Sequence, residues 1–324
     1  MSLCIVADIG GTNARFAVEN QGKLTHIQVY SCRDFADFSE LLDAYFLEIK
    51  GLDVTKAAIA VASHVSHDTV EFTNLPWKLV ISKVSKAYGF EEFKVLNDFA
   101  ALAVAVPLLG GDQLIQIGGG ESNPNAAKAL IGAGTGLGVS GLLPHDNVWV
   151  PIQGQGGHIT IGPTNSLENK LFEYILRENG HVSAECVLSG KGLVSLYKAM
   201  AAVHGIPIRE FTPADIVSNG LADEPTCSNV LKTFCEILGS TAGDLALTLG
   251  ARGGVYIGGG IVTHMKDYFH STPFFRQRFE HKGCMAEYIE KIPAYLISET
   301  RAGLLGALES TNPDYKDIGI TYST

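Results

Sequence analysis

The stretch ADIGGTNARFAV, residues 7–18, breaks an apolar run with an acid, two glycines, a threonine and an asparagine. To its left LCIVAD (3–8) reads as a strand, and to its right ARFAVE (14–19) reads as another. Gly10 and Gly11 admit positive φ and let the atoms of another molecule approach the backbone, while Asp8, Thr12 and Asn13 add one charge and several hydrogen-bonding groups. Taken alone, the segment is either a hairpin turn or a binding turn. The plan returns at AKALIGAGTGLGVSGLL (127–143), again an apolar strand, a glycine turn with a threonine and an apolar strand. A third strand, GGVYIGGG (253–260), also ends in glycines.

Around these turns the chain alternates strand and helix signals. LTHIQVY (24–30), AAIAVA (57–62), VEFT (70–73) and FKVL (93–96) read as strands, and Phe35, Phe38, Leu42, Tyr45, Phe46 and Ile49 recur at helical spacing. A helix from about Phe99 ends at Pro107, because proline disfavours helical geometry in the residue before it. Leu171, Phe172, Ile175 and Leu176 mark another helix, and Leu231 to Leu249 a long buried one. AYLIS (294–298) is a late strand, and GLLGALES (303–310) is an apolar helix expected to pack back on the first domain. Alternating elements of this kind make an α/β protein.

With 324 residues the chain exceeds what one core usually holds, so two domains are expected. The net charge of -10 and the lack of a basic patch argue against nucleic acid and anionic membrane as partners. Anionic ligands must then be met by backbone amides or a metal. Six cysteines (Cys4, Cys32, Cys186, Cys227, Cys235 and Cys284) lie scattered without metal spacing, as expected of reduced thiols in a cytoplasmic protein. No apolar stretch approaches the ~20 residues of a membrane helix.

Three glycine turns at strand ends, at Gly10–Gly11, Gly132–Gly138 and Gly258–Gly260, suit one job, gripping a nucleotide. Consecutive amides in such turns form anion-binding concavities, and Thr12 and Thr135 each add a hydroxyl donor. The chain has no GxxxxGK[ST] P-loop, and GAGTGLG lacks the third glycine of the dinucleotide fingerprint.

In this order, DIGGTNAR, GAGTGLG and GGVYIGGG resemble the two phosphate segments and the adenosine segment of the sugar kinase, Hsp70 and actin superfamily. LNDFAALAVAVP (96–107), QGGHI (155–159), GHVSAECVLSG (180–190) and TNLPWKL (73–79) further resemble bacterial glucokinases of the proteobacterial type. The cysteine-rich zinc element of the related repressor and open-reading-frame kinases is absent from the sequence. The resemblance implies two ribonuclease-H-like α/β domains, 1–108 plus 299–324 and 109–298, flanking a cleft where ATP meets a hexose, most simply glucose. It also implies a homodimer. Ala7, Asp8, Ile9, Gly10, Gly11 and Thr12 would form the first phosphate loop, with Asp8 holding Mg2+ through water. Gly132, Gly134, Thr135 and Gly136 would form the second, and Gly258, Gly259 and Gly260 the surface against adenosine.

A hexose hydroxyl is a poor nucleophile until a carboxylate accepts its proton, and the resemblance gives that role to Asp98. Asn97–Asp98 before an apolar helix is also an ordinary helix cap, whose dipole is expected to favour the ionised acid. Asn97, His158 and Glu185 are the implied sugar contacts. Gln155 stands where the family carries a glutamate, so an acceptor-only carboxylate becomes an amide that donates and accepts. A second departure is Ser63–His64, where the family has a small residue and proline. The readings that follow are an ATP-dependent glucose kinase, a kinase retuned by Gln155 toward another hexose, and a non-catalytic sugar sensor. The sensor reading is disfavoured because both acids, Asp8 and Asp98, are kept.

Overall fold

The computed structural model describes residues 3–63, 65, 67–72, 75–146, 148–315 and 320–323. His64, and Thr73 and Asn74 of the TNLPWKL segment, lie outside the described residues. The chain separates into two compact units, one of residues 1–109, 145–153 and 299–324, the other of residues 110–144 and 154–298.

In chain order the first segment runs β1 (Leu3–Ile9), β2 (Asn13–Asn20), β3 (Lys23–Ser31), α1 (Phe38–Glu48), β4 (Val54–Val61), β5 (Thr69–Glu71), β6 (Lys78–Val80), α2 (Ile81–Tyr88), β7 (Glu92–Asn97) and α3 (Asp98–Ala105). Next come β8 (Leu114–Ile117), β9 (Lys128–Ala133), β10 (Leu137–His145) and β11 (Val148–Gln153), then α4 (Ser166–Asn179), α5 (Gly190–Val203), α6 (Pro213–Leu221) and α7 (Pro225–Leu249). The last part is β12 (Val255–Gly258), α8 (Gly260–His264), α9 (Lys266–Ser271), α10 (Phe274–Glu280), α11 (Ala286–Ile289), β13 (Ala294–Ile297), α12 (Ala302–Glu309) and β14 (Ile320–Ser323). VEFT is thus a shorter strand than its composition suggests, ending at Glu71, and Pro107 sits in a single 3-10 turn that closes α3.

The sheet of the first unit has the order β14-β7-β4-β1-β2-β3. Its β1 pairs antiparallel with β2 and parallel with β4, β4 pairs parallel with β7, and β14 pairs antiparallel with β7. In the second unit β10 is antiparallel to β9, β9 parallel to β12, β12 parallel to β13, and β8 antiparallel to β13. The two sheets share one plan, which is the duplicated strand, turn and strand of the sequence carried through to topology. The central parallel strands are covered on both faces and therefore read as nearly continuous apolar runs.

Alternation along the strands of the first unit decides what lies on each face. Ile5, Ala7, Ile9, Ile59, Val61 and Val95 join the core that also holds Phe38, Leu42 and Tyr45 of α1 and Ile81 and Val84 of α2. Cys4, Val6, Ala58, Ala60 and Leu96 pack the other way, against Ala101 and Val104 of α3 and Leu304 and Ala307 of α12. Small residues let those two helices close. A Cβ on Gly306 would collide with the Ala101 carbonyl, so glycine sets the separation of α3 and α12. On the same face the buried Lys94 donates from Nζ to the carbonyls of Ser310 and Tyr315, at the end of α12 and just beyond it.

The second unit is built around α7, whose Phe234, Leu238, Ala242 and Ala246 are buried with Ala129 and Ile131 of β9 and Ile257 of β12. The Glu224 carboxylate accepts from the Cys227 amide to cap this helix, Pro225 occupies its first turn, and Gly250 ends it at φ 60°. All six cysteines are free thiols, four of them buried. Among the described residues no helix is long and apolar enough to cross a membrane.

Candidate active site

In the first unit, the strand alternation that sends Cys4 and Val6 toward α3 and α12 sends Asp8 the same way. Asp8 pairs across β2 with Arg15 and across β4 with Ala60. Ala7 and Ile9 are fully buried on the opposite face. The chain then turns through Gly10, Gly11 and Thr12, where the Gly10 amide donates to the Asn13 carbonyl (2.9 Å) and the Thr12 carbonyl accepts from Cys32 (2.9 Å). Gly11 is half-buried and Thr12 exposed, so this turn presents its outer edge to solvent.

Asp98 is the first residue of α3, and Asn97 is its N-cap. The Asn97 side-chain oxygen accepts from the amides of Phe99 (3.0 Å) and Ala100 (3.1 Å), and its Nδ2 donates to the Ser63 carbonyl (3.2 Å) and to Asp98 Oδ1 (3.0 Å). Asp98 Oδ1 also accepts from the Phe99 amide (2.9 Å). One carboxylate oxygen is thus fastened to the helix terminus, while among the described residues Oδ2 has no hydrogen-bond partner. The cap expected of the Asn-Asp pair belongs to Asn97, whose amide is spent on the helix and on orienting Asp98.

The charge on Asp98 runs against the expectation that the helix dipole keeps it ionised. Burial, and next the repulsion of Asp8, push its carboxyl up from 3.8 to about 7, and the hydrogen bonds from Phe99 and Asn97 only partly offset them. Burial likewise raises Asp8, opposed by the guanidinium of Arg15. A buried acid whose charge raises the proton affinity of a second one forms with it a natural seat for a cation. Two hard carboxylates fit Mg2+, which commonly takes one or two protein carboxylates and completes its shell with water and phosphate oxygens. Among the described residues no group of three or more His, Cys, Asp or Glu side chains is gathered for a metal, so any such ion would depend on non-protein ligands.

Two residues beside Asp8 are given no role by the sequence, Gly303 and the Arg15 that ends DIGGTNAR. Gly303, in the first turn of α12, lies so close that a Cβ there would stand 2.6 Å from Asp8 Cγ. Arg15 of β2 reaches the Thr300 carbonyl, just before α12, with its guanidinium. Both depend on where α12 meets this face, which the expectation of a returning GLLGALES helix does not specify.

In the second unit the two remaining glycine segments meet. Gly132 and Gly258 are partners in the β9–β12 register, and a Cβ on Gly259, at φ 92°, would lie 2.6 Å from the Ala133 carbonyl carbon. Gly134, Thr135 and Gly136 form the turn between β9 and β10, with Thr135 exposed, and Gly260 opens α8 beside them. The Gly134 carbonyl accepts from the Gly190 amide at the start of α5 (2.9 Å). Glu185 stands against this turn. Its Oε2 accepts from the Leu137 amide at 2.8 Å, and its own amide donates to the Gly157 carbonyl at 2.8 Å. Gln155 and His158 flank that glycine in a 3-10 turn, both exposed, the His158 amide donating to the Gln155 carbonyl (3.0 Å).

Each unit therefore gathers a glycine turn and a set of polar side chains, Asp8, Asn97 and Asp98 in the first and Gln155, His158 and Glu185 in the second. The comparisons agree with this pattern. A family model described as Glucokinase matches residues 5–312. A glucokinase of Saccharophagus degradans is 41% identical over 309 residues, 94% of this chain and 96% of that one. A glucokinase of Cronobacter sakazakii is 43% identical over 306 residues, covering 94% and 95% of the two chains. The crystal structure of glucokinase from an Antarctic psychrotroph superposes with a TM-score of 0.83 at 35% identity, over 95% of this chain and 98% of that one. The two sheets with a common plan, the paired glycine turns and this likeness over nearly the whole length lead to one assignment: the chain belongs to the glucokinase family.

Proposed function

We propose that this chain transfers the terminal phosphoryl group of ATP to the 6-hydroxyl of glucose. The observation that carries the reading is the state of Asp98, a carboxylate fastened by one oxygen to a helix terminus and raised to a pKa of about 7. A base is most effective when its pKa lies near the working pH, because it is then largely ionised and still accepts a proton strongly. Asp98 Oδ2 takes the proton of the sugar hydroxyl as the oxygen attacks phosphorus, and Asn97 holds the carboxylate in register.

The amides of Gly11, Thr12, Thr135 and Gly136 meet the phosphates, as suits a chain whose net charge of -10 offers no basic patch for them. Gly258–Gly260 give a side-chain-free surface for the nucleoside. Asp8 is the residue that would hold Mg2+, which, when bound, would neutralise phosphate charge and relieve the repulsion between the two acids. Gln155, His158 and Glu185 supply the hydrogen-bonding groups for the sugar ring. A second reading rests on Gln155, where an amide donor replaces the family's carboxylate and favours a hexose with a different hydroxyl pattern.

ADP release coupled to an indicator reaction, with Mg2+, ATP and a panel of glucose, mannose, fructose and N-acetylglucosamine, tests both. Turnover highest with glucose supports the first reading, and a different preferred hexose supports the second. ADP release that no sugar stimulates refutes both.

A further inference from the structure

Glu185 touches both the turn proposed to hold phosphate and the loop proposed to hold sugar. Its carboxylate is divided: Oε2 accepts from the Leu137 amide, the first residue of β10 after the Gly134–Gly136 turn, while Oε1 has no protein partner among the described residues. Its backbone amide donates to the Gly157 carbonyl, in the middle of the Gln155–His158 turn. The same two segments also press on one another directly. A Cβ on Gly157 would collide with the Leu137 carbonyl, and one on Gly156 would lie 2.8 Å from Val139 Cβ. A Cβ on Gly136 would sit 2.6 Å from Glu185 Oε2. Leu137, Gly157 and Glu185 are therefore a three-way contact with no slack, and Ser189 locks its far side by donating to the Glu185 carbonyl (2.8 Å).

We infer that Glu185 is a positioning residue for the phosphate turn as well as a sugar contact, so that this one carboxylate couples sugar affinity to nucleotide affinity. The inference rests on the kinase reading above and adds to it a route between the two ligands. A carboxylate accepting a backbone amide makes a strong, directional bond, and it fixes Leu137 and with it the Thr135 and Gly136 amides proposed to face the phosphates. A sugar hydroxyl donating to Oε1 restrains the carboxylate further and so favours the nucleotide-ready turn. Linkage then requires nucleotide to raise sugar affinity by the same factor.

The test measures AMP-PNP binding by calorimetry without any sugar, in Mg2+ buffer, on the full chain. Glu185→Ala deletes the acceptor for the Leu137 amide and is expected to weaken sugar-free AMP-PNP about tenfold. Glu185→Gln keeps an oxygen for that amide and is expected to restore most of the nucleotide affinity while still altering the sugar constant. The reciprocal variant, Gly136→Ala, pushes the carboxylate aside from the turn and is expected to weaken glucose binding measured without nucleotide. A mere sugar ligand predicts the opposite pattern, with sugar-free nucleotide binding untouched in every Glu185 variant and glucose affinity independent of AMP-PNP in wild type and variants alike. That pattern overturns the coupling. Should the Glu185→Ala chain fail to fold, Glu185→Gln and Gly136→Ala decide the matter alone through the glucose constant and its dependence on AMP-PNP. Wild-type protein that binds neither AMP-PNP nor glucose overturns the kinase reading and the coupling with it, whereas normal wild-type binding with indifferent variants overturns the coupling only.

Discussion

Replacing Asp98 with asparagine is expected to slow the reaction and stabilise the fold at the same time. The asparagine oxygen can still accept from the Phe99 amide and from Asn97 Nδ2, so the start of α3 keeps its hydrogen bonds. What disappears is the ionisable acid facing Asp8. Asp98 is held at about 7 against an ordinary 3.8, so between those pH values the unfolded chain ionises this group more readily than the folded one. A raised carboxyl leaves stability intact below about 3.8 and erodes it as pH climbs through 7. At 1.36 kcal/mol per decade of proton affinity the full effect is about 4 kcal/mol. Partial exposure and screening reduce it to about 1–2 kcal/mol. Thermal unfolding should therefore show Asp98→Asn melting a few degrees above wild type at pH 8, on the order of 2–4 °C per kcal/mol, with the gap closing toward pH 4.5. Steady-state turnover of the same variant should fall by about 10²–10⁴. In wild type, kcat/KM without added metal excess should rise with pH to a plateau above about 7, tracking ionisation of the free enzyme. A variant no more stable than wild type at pH 8 would show that burial and the nearby Asp8 do not hold the Asp98 carboxyl up, and one with undiminished turnover would refute its role as base.

Three more outcomes are expected. Gly303→Ala drives a methyl into the Asp8 carboxylate, so its activity should require several-fold more Mg2+ while glucose affinity measured without nucleotide stays near wild type; a titration of rate against Mg2+ checks it. Gln155→Glu restores an acceptor-only group, worth about 1.5–3 kcal/mol if it meets two sugar hydroxyls, and should tighten glucose about ten- to a hundredfold in calorimetry. Lys94→Met leaves the Ser310 and Tyr315 carbonyls without their buried donor and should cost about 2–4 kcal/mol, read as a lowered urea midpoint at constant slope.

The α/β class was legible because the signals are local. Two apolar strands around a glycine turn, written twice, specify two hairpins whatever the rest of the chain does, and Asn97–Asp98 ahead of FAALAVA marks a helix start without reference to any neighbour. The candidate site was legible only where its residues belong to such local units. Gly303 faces Asp8 across 294 intervening positions, and in the sequence it is one small residue in an apolar helix. The bond from the Leu137 amide to Glu185 joins two segments 48 residues apart and involves a backbone group, which no residue type announces. The raised carboxyl of Asp98 departs from what its helix-terminal position implies for a related reason. The helix terminus that favours its charge is visible in the sequence, whereas the burial and the second acid that oppose it come from packing.

The common plan of the two sheets also exposes a difference in composition at equivalent places. One pair in from the end of the hairpin, β1 sets Asp8 opposite Arg15, while the copy in the other unit sets Gly132 opposite Gly138. At this position one hairpin carries an acid and a base, and the other carries no side chain on either strand. The charge at that register position is thus confined to one hairpin, whereas the carboxylate that meets the other hairpin's turn, that of Glu185, is supplied by a segment 48 residues further along the chain. Grafting an aspartate onto Gly132 would undo that asymmetry.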